Sequence, residues 1–515
     1  MFLESMGARF SERKGFLSVY PSFVARSLQK RMIFQIGNLP ESRNSTKDTP
    51  WQSPTGKASN PVEHFRTERD TLGAVALPGD AWYGAQTQRT LELFPVSGAQ
   101  QLSDYPQLIA AMLHVKRAAA RTNRVIGALP SEMETAIGAV IDEALAQTSD
   151  SPFPIHSFHG GGGIGLNMNV NEVLANLANL RGFGTPFGDY VPLHPNDHIN
   201  LNHSTSDALS TACHIAVRAA WAGLEGELSG LVEDLDRSAG RMGDQPKLAR
   251  TCLQDAVDIR AGDYFRGVAH NLQRLTRRAR TDAAALAAVN LGGNIIGRSD
   301  DCDPAFFAQV IDQLNAVLQE AGLAHDLRRA DNLFAASQAH DPLQNLAASL
   351  DQIARTLIRF GGDLRLMASG PAAGFGEIRL PQKQPGSSAI PGKINPTIPE
   401  FTMQCAMMAC GRAATVRMTQ DHGELDYNPW QMLVVIALLD MIALLQSGVS
   451  TLRRNCVQGL ELDIPRNTEN AQGLAPSLMQ LKRRLGYSRA SALAKQAAGD
   501  LSVLRAALSE KEEDQ

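Results

Sequence analysis

The sequence predicts a mainly all-α protein organised around a long helical bundle. Three observations carry that expectation. Apolar residues recur at helical spacing over long stretches, the longest of them without proline. Small residues punctuate these stretches, and alternating strand-like patterns are weak throughout.

Taken in order, a first helix is expected after Ser103-Asp104-Tyr105-Pro106, with Asp104 as its cap and Pro106 in its first turn. It should run to about Ile126, ahead of Gly127. Residues 207–241 contain no proline, so one helix of ~50 Å fits there at 1.5 Å per residue. Residues 261–289 and 338–367 read the same way, and 428–460 add another helix after Pro429. Ala212, Ala216, Ala219 and Ala220 would let such helices approach closely. Helices this long need equally long partners, so a bundle that extends across subunits is the expected solution.

Bulk properties remove several classes of function. The 515 residues are 43% hydrophobic and 20% charged, the balance of a soluble globular protein with a large core. The formal net charge of −4 gives no nucleic-acid footprint. Six scattered cysteines form no C-x-x-C pair, so zinc-ribbon and redox motifs are unsupported and reduced thiols in a cytoplasmic protein are expected. The most apolar run, residues 432–445, contains Asp440 and reads as a core helix too short for ~30 Å of hydrocarbon, so no membrane partner is expected. Residues 1–65 stand apart, being rich in Ser, Arg and Lys. A mitochondrial transit peptide, a disordered extension and translation from a start upstream of Met32 all fit that composition.

The most informative stretch is Gly386-Ser387-Ser388-Ala389-Ile390-Pro391-Gly392-Lys393-Ile394-Asn395-Pro396. Its glycines and prolines prevent a regular helix. Backbone N–H groups, Lys393 and Asn395 can converge on one anion, beside two serines that offer a nucleophile or base. The plain alternative is a loop in which Ser387 caps a turn.

That order of residues resembles the signature loop of the aspartase/fumarase superfamily. Further strings resemble the same family: Pro78-Gly79-Asp80-Ala81-Trp82-Tyr83-Gly84-Ala85-Gln86-Thr87-Gln88-Arg89, Asn167-Met168-Asn169-Val170-Asn171-Glu172-Val173, His194-Pro195-Asn196-Asp197-His198-Ile199-Asn200 and Thr251-Cys252-Leu253-Gln254-Asp255-Ala256. The matches are collinear from about Arg66 to about Gln496. The resemblance implies a three-domain helical fold, with an N-terminal lyase domain at 66–193, a central long-helix domain at 194–450 and a small C-terminal helical domain at 451–515. It also implies a homotetramer with shared active sites, a small dicarboxylate-type substrate, and neither cofactor nor metal.

The implied chemistry is anti β-elimination from a succinate-type acid. A base removes a proton beside a carboxylate, giving a doubly charged aci-carboxylate, and the opposite group departs. By resemblance Ser387 is the base, helped toward its alkoxide by Lys393 and loop N–H groups, while Ser388, Lys393 and Asn395 hold substrate. Ser204, Thr205 and Thr251 match carboxylate contacts, with Ser206 and Cys252 alongside. Ser204 and Thr205 also suit an ordinary helix N-cap ahead of Asp207. Gln254, Asn169 and Glu400 are supporting residues. His194 and His198 suit either a surface effector site or, as expected here, a structural turn.

Three positions depart from the family pattern. Cys252 stands where the family has a histidine, depriving Glu400 of its usual partner. Ile164, in Gly163-Ile164-Gly165-Leu166, replaces a carboxylate-binding threonine, and Ser206 replaces an asparagine that recognises the leaving group. These changes would make the pocket roomier and less polar, as a bulkier N-substituted aspartate or a substrate with altered acid groups would need. Loss of the histidine, and the string Phe94-Pro95-Val96-Ser97-Gly98, favour an aspartase-like carbon–nitrogen lyase. A fumarate hydratase is the first alternative, and a non-catalytic structural or regulatory member of the fold is the second.

Overall fold

The computed structural model describes residues 64–95, 101–146 and 152–509. The N-terminal extension, Val96-Ser97-Gly98 and the last six residues lie outside the described residues. Of the described residues, 65% are helical. A hairpin of β1 (Phe65–Asp70) and β2 (Gly73–Pro78) leads into α1 (Ala85–Leu93), α2 (Pro106–Val125), α3 (Ser131–Ala146) and α4 (Ile164–Phe183). Five long helices follow: α5 (Thr205–Met242), α6 (Ala261–Ala285), then, after the shorter α7 (Pro304–Glu320) and α8 (Leu333–Gln338), α9 (Asp341–Met367), α10 (Thr397–Gln420) and α11 (Gln431–Asn455). α5 packs on α2, α6 and α11, while α9 packs on α6 and α10, and α10 on α11. A second hairpin, β3 (Pro246–Thr251) and β4 (Gln254–Arg260), joins α5 to α6. After α12 (Ile464–Ala471), the helices α13 (Leu474–Leu485), α14 (Tyr487–Ala497) and α15 (Leu501–Ser509) close around their own small core of Leu481, Ala490, Ala497 and Leu504.

Local chemistry explains how the N-terminal strings lock together. Arg66 donates to the carbonyls of Pro78, Gly79, Ala81 and Tyr83. Glu172, buried in α4, accepts from the backbone N–H groups of Gly84, Gln86 and Thr87 and from the Thr87 hydroxyl, so it caps α1 from another helix. Gly84 is required there: a Cβ would lie 2.1 Å from the Tyr190 hydroxyl oxygen.

Several expectations need correction. Asp104 does not cap α2. It closes a short preceding turn by accepting from the Gln101 N–H at 3.0 Å, and Tyr105 holds the N-cap position. The helix expected over 261–289 stops at Ala285, because Ala288–Val289 pairs in parallel with Arg328–Arg329. α9 and α11 each begin three residues later than expected, and α11 stops at Asn455. Both hairpins escaped the sequence reading because β1, β3 and β4 are largely polar and short of apolar alternation, and β2, Gly-Ala-Val-Ala-Leu-Pro, is short and built mostly of small residues. The apolar run at 432–445 belongs to a helix that is, by length and composition, apolar enough to cross a membrane; 67% of its apolar window is buried within the protein. It packs between α5, α9 and α10 as a core helix.

The length of α5 fixes the layout. Its 38 residues span ~57 Å at 1.5 Å per residue. At its start, Asp207 accepts from the N–H groups of Gly292 and Asn294, and Tyr427, just before α11, donates to the Gly162 carbonyl. At its far end, Asp234 pairs with Arg453 at 2.7 Å and Ser238 donates to the Val457 carbonyl. α5 and α11 therefore run parallel, and the β3–β4 hairpin and the C-terminus of α11 share the end opposite Ser204.

Candidate functional site

The 386–396 loop sits at the hairpin end of the bundle, bordering a groove lined also by Arg365, Asn455 and Cys456. It is a closed turn. The Gly386 N–H donates to the Lys393 carbonyl at 2.9 Å, and the Asn395 amide donates to the Gly386 carbonyl. Position 386 admits only glycine, since a Cβ would meet the Asn395 nitrogen at 2.5 Å. Within this turn the Ser387 Oγ accepts from the N–H groups of Ala389 at 3.1 Å and Ile390 at 2.9 Å. The turn-cap reading of Ser387 is thus realised, and the same two N–H dipoles point at the atom that must carry negative charge if Ser387 acts as a base. Lys393 and Ser388 are exposed. Asn395 is half-buried and gives one amide hydrogen to holding the loop.

Glu400, in the first turn of α10, has found a partner. Arg365 near the end of α9 lies 3.2 Å from its carboxylate. Sequence reading missed Arg365; its one signal was a cation among the last residues of a long helix.

Thr251, Cys252, Leu253 and Gln254 do not form an irregular loop. Thr251 pairs with Gln254 across a two-residue turn in which Cys252 (φ 52°) and Leu253 (φ 61°) are both left-handed. Neither residue type favours that conformation, so the turn stores strain beside the candidate residue Thr251. All four residues are exposed, as is Asp255, which pairs with Arg250 at 3.5 Å. Arg250 in turn holds the buried Glu377 at 2.6 Å, tying the hairpin to the bundle end.

At the opposite end, Ser204 caps α5. Its Oγ accepts from the Ser206 N–H at 3.1 Å, and Asp207 reciprocates by accepting from the Ser204 N–H at 2.9 Å. Asp207 is fully buried and accepts also from the N–H groups of Ala208, Gly292 and Asn294. Burial outweighs these donors and pushes its carboxyl up to about 6. Thr205 and Ser206 are partly exposed beside it, and the Ser206 hydroxyl oxygen has no protein partner. Ile164 opens α4, exposed, after three successive left-handed glycines, Gly161 to Gly163. Asn169 is fully buried one turn further along, its amide facing the Pro152 carbonyl. His159, which sequence reading passed over, caps this helix by accepting from the Leu166 N–H at 3.2 Å. Burial holds its imidazole below the usual histidine range.

His194 and His198 form the expected structural turn: His194 Nδ1 accepts from the N–H groups of Asn196 and Asp197, and His198 Nδ1 from the His194 N–H. The structure therefore brings Ser387, Ser388, Lys393, Asn395, Glu400 and the Thr251 hairpin to one end of the bundle. It places Ser204, Thr205, Ser206, Ile164 and Asn169 at the other, ~57 Å away along α5. The candidate residues of one chain thus form two separate clusters.

The model of a family described as "Lyase" matches residues 73–411. The chain is 36% identical over 443 residues to a class II fumarate hydratase of Pseudomonas aeruginosa, covering 86% of this chain and 94% of that protein. It is 34% identical over 439 residues to an aspartate ammonia-lyase of the same organism, covering 85% and 91%. Among solved structures, a cobalt-bound Brucella melitensis protein described as a fumarate lyase:delta crystallin superposes with a TM-score of 0.82 at 35% identity, covering 87% of this chain and 96% of that one. A class II fumarase from Schistosoma mansoni gives the same TM-score at 28% identity, covering 86% and 95%.

Proposed function

Because the chain belongs to the aspartase/fumarase superfamily of lyases, we propose that it is an active carbon–nitrogen lyase of the aspartate ammonia-lyase kind, eliminating an amine from a succinate-type dicarboxylate that carries an amino or N-substituted group. The observation that carries this reading is the Ser387 hydroxyl, held by two converging N–H groups in a loop that also presents Lys393. Ser387 takes the proton beside a carboxylate. Lys393 and the loop N–H groups stabilise the charge that develops on Ser387 and then on the aci-carboxylate, where electrostatic stabilisation lowers the barrier most. Ser204, Thr205 and the start of α5 hold the second carboxylate, favoured by the N-terminal end of a long helix dipole. The amine leaves from the face opposite Ser387.

The choice of nitrogen over oxygen rests on Glu400. It is engaged with Arg365, and the hairpin offers Cys252 rather than an imidazole, so among the described residues no histidine pairs with Glu400 to activate water. Identity to a class II fumarate hydratase, 36%, supports hydration as the second reading.

We also propose a homotetramer in which each site joins half-sites of different chains. Two observations support it. The half-sites lie at opposite ends of α5, too far apart for one substrate. The outer face of α10 also leaves Phe401, Met408 and Met418 exposed, with Gln404, Gly411 and Thr415 between them at three- and four-residue steps, the spacing of a helix seam awaiting partners.

Ultraviolet absorbance of the unsaturated product, followed over aspartate, malate and N-substituted aspartates, tests the reading. Product from an amino substrate with malate inert is the expected result. Turnover of malate alone would establish the hydratase instead, and silence across the panel would leave a non-catalytic role.

A further inference from the structure

Below the Ser204 half-site lies a buried cation that the proposed chemistry has not used. Lys116, on the inward face of α2, is 1% exposed. Its ammonium directs three N–H bonds to three acceptors: Asn167 Oδ1 at 2.8 Å, Asn200 Oδ1 at 2.9 Å and His203 Nε2 at 2.9 Å. The His203 ring has one arrangement that satisfies this set, with Nδ1–H donated to the Leu201 carbonyl at 2.9 Å and Nε2 accepting. All three acceptors are then neutral, so the charge is hydrogen-bonded but not cancelled by contact.

The acceptors are the residues on which the half-site is mounted. Asn167 follows Ile164 by one turn of α4. His203 directly precedes Ser204, and Asn200 braces it by donating to the His203 carbonyl at 2.9 Å. Asn171, a turn beyond Asn167, donates to Asn200 as well. One ammonium thus joins the starts of α4 and α5 from beneath, in a site without solvent screening.

We infer that Lys116 is a positioning residue of this half-site: it fixes the α4 and α5 starts relative to each other, and its charge, which no carboxylate contacts and which Asp207 offsets only from a distance, draws a substrate carboxylate to them. The inference rests on the lyase reading, because it takes the half-site to be a carboxylate site. It adds that dianion affinity depends on a cation that never touches the substrate. The titratable groups acting on Lys116 are Asp207 on α5 and His203 ahead of it. Burial and the neighbouring ammonium hold His203 well below the usual histidine range, so it stays neutral. The ammonium itself is pulled down to about 7 by burial, so the charge is lost as pH rises through neutrality.

The test uses the full-length assembled protein and succinate, an unreactive dicarboxylate, as the calorimetric probe at pH values on either side of 7. Wild type should bind succinate more weakly as pH rises. Lys116→Gln keeps two N–H donors for the cluster but no charge. It should bind on the order of tenfold more weakly at the lower pH and show a flatter pH dependence, with melting temperature and assembled mass preserved. A folded Lys116→Gln protein with wild-type affinity and the wild-type pH slope overturns the inference alone. If that variant does not fold, wild-type affinity that stays constant across neutrality overturns it. Absence of any dicarboxylate binding by the wild type overturns the lyase reading together with it.

Discussion

Replacing Ser387 with alanine separates a turn cap from a base, because the two roles predict effects of different size. The structural role is visible: Oγ accepts from two N–H groups in an exposed turn. Without it those groups turn to water, and the cost is the net worth of such bonds, ~0.5–1.5 kcal/mol, so the melting temperature should fall by no more than a few degrees. The catalytic role is larger. Removing a general base costs roughly 10²–10⁴ in rate, which is ~3–5 kcal/mol on the barrier at ~1.4 kcal/mol per tenfold. Because the turn is also closed by Gly386, Lys393 and Asn395, Lys393 should stay in place and KM should change little. The assay is steady-state turnover on the substrate the panel identifies, beside a thermal melt of the same sample. A variant retaining turnover within about tenfold of wild type would reduce Ser387 to the cap and sink the assignment.

Wild type should be a poor aspartase and a poor fumarase: two lost hydrogen bonds to charged groups, at ~1.5–3 kcal/mol each, weaken transition-state binding by roughly two to four orders of magnitude. Restoring Ile164→Thr, Ser206→Asn and Cys252→His together should raise kcat/KM on aspartate or malate, and efficient aspartate turnover by the wild type would contradict the account of these positions. Co-assembly of Ser387→Ala with Thr205→Val chains should restore activity that neither homomer has; inactivity of the mixture, with mixed assemblies shown by mass, argues against shared sites. Leu253→Gly should raise the melting temperature by relieving a left-handed φ that costs a non-glycine residue ~1 kcal/mol; an unchanged or lowered value would mean the hairpin is not strained. Lys116 titrates at about 7 in the folded protein against 10.5 for a free lysine, so between those values the unfolded chain binds more protons and stability rises with pH. Lys116→Met should flatten that rise in denaturant titrations.

What the sequence disclosed follows from how far each interaction reaches along the chain. The α5 segment is legible because period, absence of proline and the Ser204–Asp207 capping box are all local. The loop at 386–396 is legible because its closure, from Gly386 to Lys393 and Asn395, lies within one string. Arg365 with Glu400 is 35 residues apart and Lys116 with Asn167 51, and no periodicity pairs them. A lone lysine amid the apolar Leu108–Ala120 run was the one visible trace of the second pair. The hairpin at 246–260 stayed hidden for a different reason: a two-residue left-handed turn is signalled by Asn or Gly, and here Cys252 and Leu253 hold it.

Under the proposed function, the layout lets recognition change without loss of proton removal. Ile164 and Ser206 sit at one end of α5 and the Ser387 loop at the other, so in a single chain no packing links them. On that reading, changes at the first end would alter the pocket for the distal carboxylate and leave the geometry of Ser387 untouched. Cys252 is the exception, since it shares the catalytic end. At that end Glu400 is held by Arg365 at 3.2 Å. An exposed Glu400–Arg365 pair contributes little to stability, so its value lies in placing a cation beside the groove that borders the loop. Arg365→Ala should therefore cost substrate affinity far more than melting temperature. A variant that melts lower with KM unchanged would assign the pair to the fold instead.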